Sequence, residues 1–145
     1  MSKIIIGIDP DSKKHGVAVY KDKKITELDC FELFDIHNLL FEMSTEERLT
    51  VEFHVEDVCA NNAIFRKGNN VSVQQSIARR LGMVQQSQVE LERLAEWWEL
   101  PVVKHKISKM WKKDKAQFEK VTGWKGRSNE DTRSAAYFGW LGCSK

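Results

Sequence analysis

Near the start of the chain, Ile4-Ile5-Ile6-Gly7-Ile8 runs without a polar side chain and stops at Asp9-Pro10. A short apolar run closed by a turn signal reads as a strand buried on both faces. Such a strand demands a sheet covered above and below, which restricts the chain to layered α/β architectures. The 145 residues suit one domain spanning 1–145, and 41% hydrophobic with 30% charged content suits a folded core over a disordered tail. No apolar run approaches the roughly 20 residues of a bilayer crossing, so no membrane partner is expected. Three widely spaced cysteines, Cys30, Cys59 and Cys143, form no CxxC pair. They fit neither a disulfide framework nor a zinc site and point to a reducing interior.

Gly16 to Tyr20 and Ile25 to Phe31, joined by Lys21-Asp22-Lys23-Lys24, read as the next two strands of an antiparallel meander. Phe34 to Phe41 reads as a short helix. From Leu49 to Glu56, Val51, Phe53 and Val55 alternate with Glu52, His54 and Glu56, a strand with Glu56 at its far end. Asp57 to Asn70 reads as a loop. Ser72 is placed to cap a long helix with Gln75 completing a capping box. Its apolar stripe runs Val73, Ile77, Leu81, Val84, Leu91, Ala95, Trp98, to about Glu99. Leu100 to Val103 starts a further strand, and Ser108 to Val121 and Glu130 to Leu141 read as two last helices. The order β-β-β-α-β-α-β-α-α is a mixed α/β domain with helices on both faces of a five-stranded sheet.

Charge is distributed unevenly behind a net +2. Residues 1–60 hold 7 Lys and Arg against 13 Asp and Glu, whereas residues 101–145 hold 11 against 4. A basic last third interleaved with Trp111, Trp124 and Trp140 matches either a polyanion-binding surface or a solvated helix face.

Three carboxylates sit at element ends: Asp9, Glu56 and Asp131, with Glu130 beside the last. Adjacent strands lie about 4.8 Å apart, so if the strands of Asp9 and Glu56 pair in parallel, both side chains reach one point. A helix starting near Asn129 brings Asp131 over the same sheet edge. Clustered carboxylates need cations, and oxygen-only ligands favour hard ions such as Mg²⁺, two of which can drive phosphodiester hydrolysis. Each residue also has a plainer role open to it. Asp9 can initiate a turn before Pro10, Asp131 can stabilise a helix N-terminus, and Glu56 can pair with a lysine.

Residues Ile5 to Val19 (IIGIDPDSKKHGVAV) resemble the first strand and hairpin of RuvC-type Holliday junction resolvases, in the ribonuclease H-like superfamily. Val55-Glu56-Asp57-Val58 resembles their second acidic motif, and Lys67-Gly68-Asn69-Asn70 through Ala78 to Val84 resembles the long helix that follows. Asp131-Thr132-Arg133-Ser134-Ala135-Ala136 is similar to their terminal motif. Asp11 stands where the family usually has Gly. Ser134 stands where a second terminal carboxylate is expected, which leaves Asp131 to carry the metal with Glu130 as auxiliary. Cys59 occupies the place of an aromatic.

The resemblance implies a ribonuclease H-like sheet, its first three strands antiparallel and the rest parallel. It implies an endonuclease acting on branched DNA, such as four-way junctions, that leaves 5′-phosphate and 3′-hydroxyl ends. Asp9, Glu56 and Asp131 are then the ligands of Mg²⁺, two per site with Mn²⁺ able to substitute, and Glu130 is an auxiliary ligand or proton acceptor. A lysine near the scissile phosphate is expected, Lys115 first and Lys113 second. Phe65, Arg66 and Lys67 are candidates for the branch point, and Lys112 and Lys113 for DNA phosphates. A homodimer is implied, with the helix from Ser72 to Trp98 as interface and Trp97 or Trp98 left over for it. A bacterial or phage-infected cytoplasm fits. Two other classes stay open: a junction-binding protein of weakened catalysis, which Ser134 supports, and an actin-like nucleotide-binding domain built on Asp9 to Gly16.

Overall fold

The computed structural model describes residues 3–60 and 71–144. Its elements run β1 (Ile4–Asp9), β2 (His15–Lys21), β3 (Lys24–Phe31), α1 (Leu33–Glu42), α2 (Thr45–Arg48), β4 (Val51–Glu56), α3 (Val71–Trp97), β5 (Val102–His105), α4 (Lys115–Thr122) and α5 (Glu130–Cys143). A 3-10 turn, Val58–Ala60, follows β4. The five strands form one sheet in the order β3-β2-β1-β4-β5. β1 pairs antiparallel with β2, and β2 with β3; β1 and β4, then β4 and β5, are parallel. This is the mixed five-stranded sheet expected from the sequence, its first three strands antiparallel and the rest parallel.

Strand alternation sorts the sheet into two faces. Ile4, Ile6, Ile8, Val51, Phe53 and Val55 pack with Ile36 and Leu40 of α1 and Leu91 and Ala95 of α3. On the other face Ile5, Ala18 and Tyr20 pack with Phe118 of α4 and Ala135 and Ala136 of α5. Asp9 and Glu56 share the parity of Ile5 and Glu52, so both project toward α5.

Glycine allows α5 to settle on that face. A Cβ added at Gly7 would lie 2.1 Å from the Ala135 carbonyl oxygen, and one at Gly16 would lie 2.3 Å from that of Asp131. Neither position can carry a side chain while the helix backbone rests there.

Local signals account for most boundaries. Asn129 caps α5 by accepting from the Thr132 amide at 2.8 Å, while its own amide donates to Thr132 Oγ1 at 2.9 Å. Asp114 caps α4 through the Gln117 amide at 3.0 Å, and Gly123, at φ +73°, ends it in the left-handed conformation. The short α2, absent from the sequence expectation, carries a capping box between Ser44 and Glu47.

Four expectations need correction. The helix foreseen over Ser108 to Val121 begins only at Lys115, because Trp111 is left-handed at φ +67°. Ser72 lies inside α3, which already includes Val71, and so is not its cap. The apolar stripe of α3 is only half used: Leu91 and Ala95 are buried, but Val73 is exposed. β5 also starts later than foreseen, at Val102 after Pro101.

Candidate active site

Parallel pairing of β1 with β4 matches Ile8 to Val55, which sets Asp9 and Glu56 side by side at the next position. Both are buried, each 5% exposed. On the antiparallel side Asp9 matches Gly16, over which the Asp131 backbone lies. Sheet and helix thus converge on one corner.

Asp9 and Glu56 also feel one another electrostatically. Burial pushes the Asp9 carboxyl up to about 6; Lys112 and Ser134 oppose that rise and Asp131 adds to it. Burial and then the neighbouring Asp9 push Glu56 up to about 7. Asp131 is raised as well, by burial and by Asp11.

Lys112 faces this cluster from the segment before α4, its Nζ 3.6 Å from Asp9 Oδ2. Partial burial works against its charge, but Asp9, Glu56 and Asp131 outweigh that and hold it above the ordinary lysine range. The lysine is held in place by its own backbone. Arg133 of α5, buried at 9% exposure, donates from Nε to the carbonyls of Trp111 and Lys112, both at 3.1 Å. Its second terminal nitrogen donates to the Lys112 carbonyl at 2.6 Å and its first to Ser128 Oγ at 3.0 Å. Arg133 therefore closes the left-handed bend at Trp111 and aims the next side chain at Asp9.

Behind the site, Gln88 of α3 fixes the chain that leaves β4. Its Oε1 accepts from the Cys59 amide at 3.0 Å and its Nε2 donates to Asp57 Oδ1 at 3.1 Å. Beneath α5, a chain centred on the buried His54 runs from Glu52 Oε1 to His54 Nε2 and from His54 Nδ1 to His105 Nε2, each 2.7 Å. Glu52 can only accept, so His54 Nε2 carries a proton, and a neutral His54 then accepts at Nδ1 from the Nε2–H of His105. This bond ties β4 to β5 where Glu56 projects.

The structure therefore brings Asp9, Glu56, Asp131 and Lys112 to one corner. Asp131 stands at its rim: among the described residues no three His, Cys, Asp or Glu side chains converge closely enough to hold a metal ion. Asp9 and Glu56 are the two carboxylates at adjacent strand ends. Glu130 opens α5, exposed to solvent. Lys115, the first lysine named from sequence, is exposed at the start of α4, 4.0 Å from Glu119; Lys112 is the lysine on Asp9. Lys113 is exposed. Phe65, Arg66 and Lys67 lie outside the described residues. Sequence reasoning missed the roles of Arg133 and Gln88. The one available signal for Arg133 was a charged residue in the small and apolar run from Thr132 to Gly139, since such a group, if buried, must find carbonyls or carboxylates; Gln88 carried none.

The site's donor set suits a hard divalent cation. Asp9 Oδ2, Glu56 Oε2 and Ser134 Oγ are buried side-chain atoms without a hydrogen-bond partner among the described residues. Buried polar atoms are nearly always satisfied, so three such oxygens at one corner, only Asp9 Oδ2 having an ammonium near it among the described residues, suit a further cation.

The architecture has known counterparts. The structure of Thermus thermophilus RuvC in complex with a Holliday junction substrate aligns with a TM-score of 0.59 at 14% identity, over 94% of this chain and 90% of that one. A second Thermus thermophilus RuvC structure aligns with a TM-score of 0.53, also at 14% identity, over 94% and 91%. The chain has a RuvC-like fold. No protein-family model matches the sequence, and no curated protein matches it significantly. Among the described residues no helix is long and apolar enough to cross a membrane.

Proposed function

We propose that this RuvC-like chain is a divalent-metal-dependent endonuclease that nicks branched DNA at four-way junctions. One observation carries the reading: two buried carboxylate oxygens, Asp9 Oδ2 and Glu56 Oε2, sit at adjacent strand ends without hydrogen-bond partners among the described residues. Two buried like charges are unfavourable until a cation joins them, and oxygen donors select Mg²⁺ or Mn²⁺. Asp9 and Glu56 would hold the ion, with Asp131 facing it from α5. Such an ion supplies Lewis-acid polarisation of a phosphoryl oxygen and a lowered pKa for water.

The remaining roles fall to the chain's own groups. The Lys112 ammonium offers positive charge where a scissile phosphate would approach Asp9. Glu130, exposed one residue before Asp131, is an auxiliary ligand or proton acceptor. Lys113 and Lys115, with Phe65, Arg66 and Lys67, are proposed to contact the DNA arms. The likeness to a RuvC structure solved with a Holliday junction supports the choice of a four-way substrate. Paired nicks in a symmetric junction need two sites, so a homodimer through α3 is part of the proposal. Trp98 packs against the core and donates to His37 Nδ1 at 3.1 Å. Trp97 is 69% exposed and is left for the interface.

Ser134 favours a second reading, a protein that binds junctions without cutting them. Four-way, three-way and linear duplex DNA, each tested with Mg²⁺ and with EDTA against wild type and Asp9→Asn, separates the two. An endonuclease cuts the four-way substrate only with Mg²⁺, and Asp9→Asn binds it without cutting. Binding without cleavage by wild type supports the second reading. Cleavage that survives in Asp9→Asn would place the chemistry elsewhere.

A further inference from the structure

Ser134 is fully buried on α5, one turn beyond Asp131 on the side that meets the sheet. Helical hydroxyls ordinarily bond back to a carbonyl of the preceding turn. Ser87 does so to Met83 at 3.0 Å, Thr122 to Phe118 at 2.8 Å and Ser144 to Trp140 at 2.9 Å. Ser134 Oγ instead has no hydrogen-bond partner among the described residues. It leans toward Asp9 and favours the ionised carboxylate, without closing a hydrogen bond of ordinary geometry.

We propose that Ser134 Oγ is the third protein ligand of a single divalent cation held with Asp9 and Glu56, and that the Lys112 ammonium stands in for a second cation. The proposal rests on the metal-dependent reading above and specifies its ligands and stoichiometry. The three orphaned oxygens belong to Asp9, Glu56 and Ser134, not to Asp131. A third ligand from a hydroxyl also agrees with the lack of three converging His, Cys, Asp or Glu side chains among the described residues. Charge points the same way. Three carboxylates against one ammonium leave two negative charges, which one divalent ion neutralises. A neutral hydroxyl at position 134 withholds the charge a second ion would need. The ammonium is already 3.6 Å from Asp9 Oδ2, and the bonds from Arg133 to the Lys112 carbonyl keep it there.

Counting bound ions tests this without reference to cleavage. Full-length wild type, Ser134→Ala and Ser134→Asp are titrated with Mn²⁺ at neutral pH, and free Mn²⁺ is read from its electron paramagnetic resonance signal. Circular dichroism in EDTA checks that each variant is folded. Wild type is expected to bind one Mn²⁺ per chain. Ser134→Ala should bind it at least about tenfold more weakly, since losing even a group that only supports a ligand costs that much. Ser134→Asp should bind two. Two ions on wild type, or Ser134→Ala binding as tightly as wild type, would overturn the inference and leave the nuclease reading standing. No Mn²⁺ on wild type would overturn both. The wild-type count requires no variant, so one against two is decisive even if Ser134→Ala folds poorly.

Discussion

Replacing Asp9 with Asn should make the metal-free protein more stable, not less. Burial holds the Asp9 carboxyl near 6 in the folded chain against an ordinary value of 3.8. Each tenfold change in proton affinity is worth about 1.4 kcal/mol, so an ionised Asp9 costs about 3 kcal/mol of folding free energy. Lys112 is already included in that figure, because its charge opposes the rise. Because the folded-state value is the higher one, the cost falls to about 0.5 kcal/mol at pH 4 and vanishes below that, as the carboxyl becomes protonated in both states. It grows as pH rises from 3.8 towards 6 and is complete above that. Asn keeps the shape and removes the charge. At roughly 3 °C per kcal/mol for a chain of this size, Asp9→Asn should melt about 9 °C above wild type near pH 8 in EDTA. The two should converge near pH 4, and saturating Mg²⁺ should narrow the gap by binding only the wild-type site. Calorimetry across pH, with and without Mg²⁺, measures all three effects. A variant no more stable than wild type at pH 8, or a gap that ignores pH, would refute the claim that burial strains this carboxylate.

Gly7→Ala forces a methyl group against the Ala135 carbonyl and should cost about 1–3 kcal/mol or more, read as a lower urea midpoint, together with loss of cleavage as α5 lifts. Arg133→Met should orphan the Trp111 and Lys112 carbonyls, cost about 1–3 kcal/mol each in the same assay, and release Lys112 from Asp9. Lysine at 133 should not rescue, since it lacks the planar fork that bonds two carbonyls. Trp97→Glu should shift a dimer to monomer in sedimentation equilibrium while leaving the melting temperature of the monomer nearly unchanged.

The strands were the most legible part of this chain, because short runs of β-branched and aromatic residues closed by turn signals leave a clear mark. β1 is found at Ile4–Asp9 as expected, and the alternation from Val51 to Glu56 already separated core side chains from those facing α5. The start of α5 was readable from Asn129. That of α4 was not, since nothing near Trp111 announces a left-handed residue; the bend is imposed by Arg133, distant in sequence. The same contact explains why Lys115 and Lys113 were named for the scissile phosphate and Lys112 only for DNA phosphates. Choosing among lysines requires knowing where the helix begins. Ser134 was legible only as a missing carboxylate, and its orphaned hydroxyl emerges only once Gly7 and Gly16 let the helix down onto the sheet.

That seating has a bearing on synthesis. Asp9 and Glu56 come together when β1 and β4 pair, but Lys112, Arg133 and Ser134 are translated well after β4. A ribosome-bound fragment ending before α5 would leave that sheet face uncovered, so Asp9 and Glu56 would lose the burial that raises them and would lack the hydroxyl and clamped ammonium beside them. The complete corner, with Ser134 and the clamped Lys112 facing Asp9, exists only once the helix docks.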